Sequence, residues 1–76
     1  MNNYITIMYT NITEEAELNV VSNCLSAFTE INEWTIDFAD CDKVLRISSQ
    51  QKIDGPVSNA IKEVGLRCTV EEVFVC

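Results

Sequence analysis

Apolar and polar residues alternate along the first part of the chain, from Tyr4 to Tyr9. A period of two is typical of a half-buried β-strand, because successive side chains of a strand point to opposite faces of the sheet. We expect Ile5, Ile7 and Tyr9 to face the core, and Tyr4 and Met8 to lie on the opposite face. The pattern predicts a first strand.

The next pattern has the period of a helix. Between residues 14 and 29, apolar residues recur three and four positions apart, as they do on one face of an amphipathic helix. They are Leu18, Val21, Leu25 and Phe28, with Cys24 and Ala27 at the edges. Glu14, Glu15 and Glu17 stand in the first turn, where free backbone N–H groups and the helix dipole favour negative charge. The first strand is therefore followed by an acidic helix start.

Alternation returns in residues 34–38 and 44–49, which are separated by a turn at residues 40–42. Trp34, Ile36 and Phe38 give the first of these two strands a strongly apolar face, which we expect to lie in the core. A turn of this length predicts that the two strands are adjacent and antiparallel.

The last part of the chain predicts a second helix and a fourth strand. Pro56 suits a first helical turn, and Gly65 suits the residue that follows a helix. Residues 66–75 are rich in Val and Phe, but Glu71 and Glu72 interrupt their alternation. We therefore expect a bulge or a strand end at these two glutamates.

The order β-α-β-β-α-β predicts an α+β, ferredoxin-like open-faced sandwich: a four-stranded antiparallel sheet with two helices on one face. Residues 1–76 form one domain in this prediction. The plan brings three loops to one end: the loop after the first strand, the hairpin turn, and the segment after Gly65. The acidic residues and cysteines expected at that end are Glu14, Glu15, Glu17, Asp40, Cys41, Asp42 and Cys68.

These landmarks resemble, nearly end to end, the heavy-metal-associated domain family of small copper, zinc and mercury carriers. That family carries Gly-Met-Thr-Cys-x-x-Cys at the start of its first helix, where residues 11–17 of this chain read Asn-Ile-Thr-Glu-Glu-Ala-Glu. Leu18, Val21 and Leu25 match the apolar positions that follow the motif. Residues 34–38, 43–47 and 60–66 are similar to its second strand, its third strand and the end of its second helix. Glu14 and Glu17 stand where the family has its two cysteines.

The replacement changes the chemistry that the resemblance implies. Two thiolates bind the soft ion Cu(I), whereas carboxylates are hard donors that suit Mg²⁺, Ca²⁺ or Mn²⁺ and bind them weakly without further ligands. The sequence thus excludes tight Cu(I) binding by the usual pair, and the simplest interpretation of the glutamates is compensation of the helix dipole. A metal site relocated to Cys41 and Cys68, with Glu14 and Glu17 nearby, is the alternative.

Composition restricts the partners and the chemistry. A net charge of −7 argues against nucleic acid and anionic membranes, because both attract clustered Lys and Arg. The chain has no histidine, and no Ser or Cys stands beside a plausible base, so we expect no enzyme. Residues 1–4 show no export signal, which predicts a cytoplasmic location and reduced thiols rather than disulfides.

We therefore expect a small, acidic, non-enzymatic binding or interaction module without a resident cofactor. Its partner would be a protein with a basic surface, and its oligomeric state a monomer or a weak homodimer. The expected partner-binding residues are Glu14, Glu15, Glu17, Asp40 and Asp42. The alternative is a metal-binding or metal-carrier domain that uses Glu14, Glu17, Cys41 and Cys68.

Overall fold

The predicted elements occur in the predicted order in a computed structural model, which describes residues 3–39, 41 and 43–75. They are β1 (Tyr4–Thr10), α1 (Glu15–Leu25), β2 (Ile31–Asp37), β3 (Val44–Ser49), α2 (Asp54–Glu63) and β4 (Cys68–Val75). The strands form one antiparallel sheet in the order β2-β3-β1-β4. The ferredoxin-like fold class is thereby confirmed.

The core lies between the helices and one face of the sheet. Met8 pairs with Leu45, and Thr6 pairs with Ile47, so these side chains share a face. Met8, Leu45 and Ile47 join the buried side chains of both helices in one apolar cluster. The helical members of the cluster are Val21, Leu25, Val57 and Ile61. Both helices therefore cover the same face, as predicted.

The predicted orientation of β1 is wrong. Met8 is fully buried and Thr6 is 1% exposed, whereas Ile5 and Ile7 are only half-buried on the other face. Ile5 is flanked there by Ser48 and by Phe74, which is 45% exposed. Both faces of β1 carry large apolar side chains, so alternation alone does not show which face the helices cover.

The bulge expected in β4 is present. Ile7 pairs with Glu72 and Met8 pairs with Val70, which leaves Glu71 as the extra residue. An extra residue bends a strand locally and disturbs its hydrogen-bond ladder.

Two predicted boundaries differ from the structure. The helix α1 ends at Leu25, and Phe28 packs against the core from the following loop. There the Ser26 hydroxyl donates to the Asn23 carbonyl at 2.7 Å, a local bond that competes with continuation of a helix. The strand β2 begins at Ile31 and ends before Phe38, which is 41% exposed and not in the predicted core.

The helix α2 ends at Glu63 and is terminated, as predicted, by Gly65, whose φ of 88° lies in the left-handed region. The Gly65 N–H donates to the Lys62 carbonyl and the Leu66 N–H to the Ile61 carbonyl, at 3.0 and 3.3 Å. This is the Schellman arrangement, which satisfies the last carbonyls of a helix. None of the helices among the described residues is long and apolar enough to cross a membrane.

Candidate functional site at the start of the first helix

The loops predicted to share one end of the domain are joined by hydrogen bonds. The Thr10 hydroxyl, at the end of β1, donates to the Lys43 carbonyl of the hairpin at 2.7 Å. The Arg67 N–H, just before β4, donates to Asn11 Oδ1 at 2.9 Å. The loop between β1 and α1 is therefore held on both sides, and it positions the start of α1.

Glu17 turns back onto this loop. Its Oε1 accepts hydrogen bonds from the Thr13 N–H at 3.0 Å, the Thr13 hydroxyl at 3.2 Å and the Glu14 N–H at 3.1 Å. A carboxylate at the third position of a helix that accepts from the backbone N–H of the N-cap residue is half of a capping box. These bonds, that from the Thr13 N–H foremost, lower the pKa of the Glu17 carboxyl, although partial desolvation opposes them. Glu17 thus closes the loop as an ionised group.

Glu14 and Glu15 are the exposed carboxylates of this helix start. Glu14 is the extended residue before the helix, and both side chains are exposed. Among the described residues, the ion pair within 4.0 Å joins Lys52 to Asp54, so neither glutamate is neutralised by a neighbouring cation. The helix start therefore presents two exposed carboxylates, of which that of Glu14 also takes part in the capping box. Asp40 and Asp42, the other predicted rim acids, lie outside the described residues.

A shallow apolar pocket adjoins these carboxylates. It has a volume of about 370 Å³ and is lined by Thr13, Glu15, Leu18 and Phe38. Phe38 was expected in the core, but it follows the last residue of β2 and remains exposed. The sequence signal for this is its place directly before the predicted turn, where alternation no longer determines burial. Negative charge and exposed apolar surface thus lie side by side.

The two cysteines of the predicted alternative lie in different environments. Cys41 is exposed in the hairpin turn, whereas Cys68 is 5% exposed. The Cys68 Sγ lies 3.4 Å from the Ser58 hydroxyl oxygen and 3.6 Å from the Met8 Sδ, which places it in the core. Cys68 is therefore a small side chain of the core. The described cysteines, Cys24, Cys41 and Cys68, are free thiols.

The geometry does not fit a soft-metal site of the usual kind. The sequence resemblance places Glu14 and Glu17 at the positions of two thiols, and Glu17 Oε1 already accepts hydrogen bonds from three donors. In the part of the chain that the structure describes, no three Cys, Asp or Glu side chains are grouped to hold a metal ion. Metal coordination requires several converging ligands.

The chain matches no protein-family model and no curated protein sequence. Its structure is similar to that of the N-terminal domain of ZntA in the Zn(II) form, with a TM-score of 0.79 and 15% identity over 93% of this chain and 96% of that one. The yeast copper transporter domain CCC2A, solved in apo and Cu(I)-loaded states, gives a TM-score of 0.76 and 14% identity over 91% and 96%. The Cu(I)-loaded first domain of the human copper chaperone for SOD1 gives 0.75 and 8% over 95% and 97%. At these identities the likeness shows the fold, which is that of heavy-metal-associated domains.

Proposed function

We propose that this chain, which has the fold of heavy-metal-associated domains, is a non-catalytic interaction module whose usual metal site has been replaced by glutamates. The observation that carries the proposal is the Glu17 carboxylate, which closes the loop before α1 with three hydrogen bonds. A loop that is closed by its own side chain needs no metal ion to order it. A cation that recruited Glu17 Oε1 would first have to break these bonds.

The surface proposed for a partner is the acidic rim, which we define as Glu14 and Glu15 together with the pocket beside Phe38. Exposed carboxylates attract a basic partner at long range. Dissolved salt screens this attraction, so it is strongest at low ionic strength. The pocket adds a place for one apolar side chain of the partner. A basic protein segment with an aromatic or aliphatic residue has this complementary chemistry.

We propose no catalysis and a cytoplasmic location. The chain contains no histidine, and the Glu14 and Glu15 carboxylates are exposed rather than held in a dehydrated cleft. Acid–base catalysis by carboxylates depends on an environment that shifts their pKa towards neutrality. The pKa of Glu17 is instead lowered.

Metal binding is the first test. Reduced protein is titrated with Cu(I) and with Zn²⁺ against a competing chelator, beside a variant that carries Glu14→Cys and Glu17→Cys. We expect the restored thiol pair to bind Cu(I) more tightly than micromolar, since this fold presents the pair at a helix N-terminus, and the wild-type chain not to do so. Equal binding by both proteins would contradict the proposal.

The second candidate function, a metal carrier, is supported by the metal-loaded states of the similar structures. It predicts submicromolar binding by the wild-type chain that is lost in the Cys41→Ser and Cys68→Ser variants. Because Cys68 is buried, the circular dichroism of Cys68→Ser must also match that of the wild type. Such a result would replace the first proposal.

The partner surface is tested with an amidated Lys-Lys-Phe-Lys-Lys peptide, followed by amide NMR signals at physiological ionic strength. We expect the largest shifts at Thr13, Glu15 and Phe38. The Glu14→Gln plus Glu15→Gln variant should weaken binding several-fold, because two exposed charges are lost. Glu63→Gln plus Glu71→Gln, which removes two exposed charges from α2 and β4, is the charge control. An equal effect of the control would show that only net charge matters and would contradict the rim.

A further inference from the structure

A second concave surface lies at the other end of α1. A groove of about 480 Å³ separates the last turns of this helix from the first residues of β2. Leu25, Phe28, Ile31 and Trp34 give it an apolar lining. Its polar lining comes from Ser22 and Ser26 at the helical border and from Asn32 and Glu33 of β2. The groove does not include any residue of the acidic rim.

The strand beside this groove is an edge strand. In the described sheet β2 pairs with β3 alone, so its outer side carries backbone N–H and C=O groups without a strand partner. The other edge strand, β4, is interrupted by the bulge at Glu71. The strand β2 also has a register shift, between Ile31 and Glu33 at the border of the groove, and it pairs regularly with β3 from Glu33 to Asp37. Bulges are a common way to protect an edge from pairing, so residues 33–37 are the part of β2 that is open to a further strand.

The two faces of β2 differ in chemistry. Trp34 and Ile36 pack towards the core beneath the helices. Glu33, Thr35 and Asp37 alternate with them and are exposed on the open face of the sheet. A strand added along β2 would therefore place every second side chain over the groove and the others beside Glu33 and Asp37.

The charges of Glu33 and Asp37 determine which kind of strand can pair with the outer side of β2. A second copy of β2 paired antiparallel about Thr35 would set Glu33 opposite Asp37, and a parallel copy in register would set each acid opposite itself. Like charges directly opposite each other destabilise a strand pair, whereas Lys or Arg at those positions would stabilise it. The complementary strand has apolar side chains towards the groove and basic side chains towards the open face.

We propose that the groove between α1 and β2 binds an extended segment of a partner protein with alternating apolar and basic residues, which adds a fifth strand to the sheet along β2. This is β-augmentation, in which main-chain hydrogen bonds give affinity and side-chain pockets give specificity. It goes beyond the proposed function, because it uses a different set of residues.

The probe is a capped Lys-Val-Lys-Val-Lys-Val peptide added to the full chain at physiological ionic strength. We expect saturable NMR shifts over residues 31–37 and at Ser22 and Ser26, and slower hydrogen exchange of the β2 amides. The Glu-Val-Glu-Val-Glu-Val peptide should not bind. Ser22→Trp, an exposed change at the helical border, should fill the groove and weaken binding without a change in charge.

Variants with the same change of charge on β2 and on β4 show which edge of the sheet the peptide binds. Glu33→Lys and Asp37→Lys should each weaken binding by about fivefold, because each replaces an attractive cross-strand pair by a repulsive one. Glu71→Lys and Glu72→Lys make the same charge change on β4, and Glu14→Gln with Glu15→Gln neutralises the acidic rim. We expect all of these controls to retain binding within about twofold, since none of these residues lines the groove or belongs to β2.

Each of these results would overturn the proposal: no saturable binding at millimolar peptide, shifts centred on β4, equal binding of the acidic peptide, or loss of binding in the rim variant. Shifts over β2 that depend on protein concentration without any peptide would show that a second copy occupies the edge, and they would also overturn it. Failure of this proposal does not decide partner binding at the acidic rim, which is tested separately with the Lys-Lys-Phe-Lys-Lys peptide and the Glu14→Gln plus Glu15→Gln variant.

Discussion

We expect replacement by valine to have opposite effects on stability at two threonines of β1. Thr6 is 1% exposed between Ile47 and Val73, and its hydroxyl has no hydrogen-bond partner among the described residues. Thr10 is half-buried, and its hydroxyl donates to the Lys43 carbonyl at 2.7 Å and accepts from the Ile12 N–H at 3.3 Å. Valine has nearly the shape of threonine without the hydroxyl. Thr6→Val should therefore stabilise the fold, and Thr10→Val should destabilise it.

The magnitudes follow from these contacts. A buried polar group without a partner costs about 1–3 kcal/mol, so we expect Thr6→Val to raise the free energy of unfolding by about 1 kcal/mol. Thr10→Val removes two hydrogen bonds of about 0.5–1.5 kcal/mol each and leaves Ile12, which is fully buried, with an unpaired N–H. We expect a loss of about 2 kcal/mol. For a domain of this size, each kcal/mol changes the Tm by about 4–8 °C.

Urea unfolding followed by circular dichroism measures both variants, with Thr69→Val as the control. Thr69 is exposed on β4, so its change should stay within about 0.5 kcal/mol. A β-propensity effect would stabilise all three variants alike, because valine favours strands at each position. Stabilisation by Thr10→Val, or destabilisation by Thr6→Val at an unchanged m-value, would refute the assignment of these hydroxyls.

Three further predictions concern single residues. Gly65→Ala should cost about 1–2 kcal/mol by urea unfolding, because alanine is strained at a φ of 88°, while no atom lies within 4 Å to obstruct its Cβ. The folded-state pKa of Glu17 lies below the ordinary value of 4.5, so its stabilising contribution is present above that pH and is lost as pH falls through the folded pKa. The unfolding free energies of wild type and Glu17→Gln should therefore differ most at neutral pH and converge in acid; a constant difference would contradict this role. In thiol labelling of the native protein, exposed Cys41 should react rapidly, and buried Cys68 only as fast as the protein opens.

The elements could be predicted from the sequence because local signals and long-range packing agree. The periods of two and of three to four residues predicted the element order, and the glycine at position 65 predicted the end of α2. The interruption at Glu71 predicted the bulge. The orientation of β1 could not be predicted, since Ile5 and Met8 are equally suited to burial and the helices alone decide between them.

The sequence was enough to predict where in the fold the candidate site lies. It was not enough to predict the hydrogen bonds within the site. The chain path brought the loop after β1 to the hairpin turn and to the start of β4, as the bonds of Thr10 and Asn11 show. The direction of the Glu17 side chain depends on the placement of Thr13 and Glu14 relative to the first helical turn, which no spacing specifies. Cys68 likewise turns inward because its strand position shares the face of Met8.

The acidic rim and the groove lie near opposite ends of the same edge of the domain. The groove borders the start of β2 at Ile31, and the pocket beside Phe38 follows its end at Asp37. A strand of seven residues spans about 23 Å, so one extended segment along β2 would reach from one to the other. Variants at Glu15 and at Glu33 would then each weaken the binding of one longer peptide, because that peptide contacts both sites. With two separate partners, each variant would weaken only its own partner, so the two variants measured with that longer peptide distinguish one continuous binding surface from two.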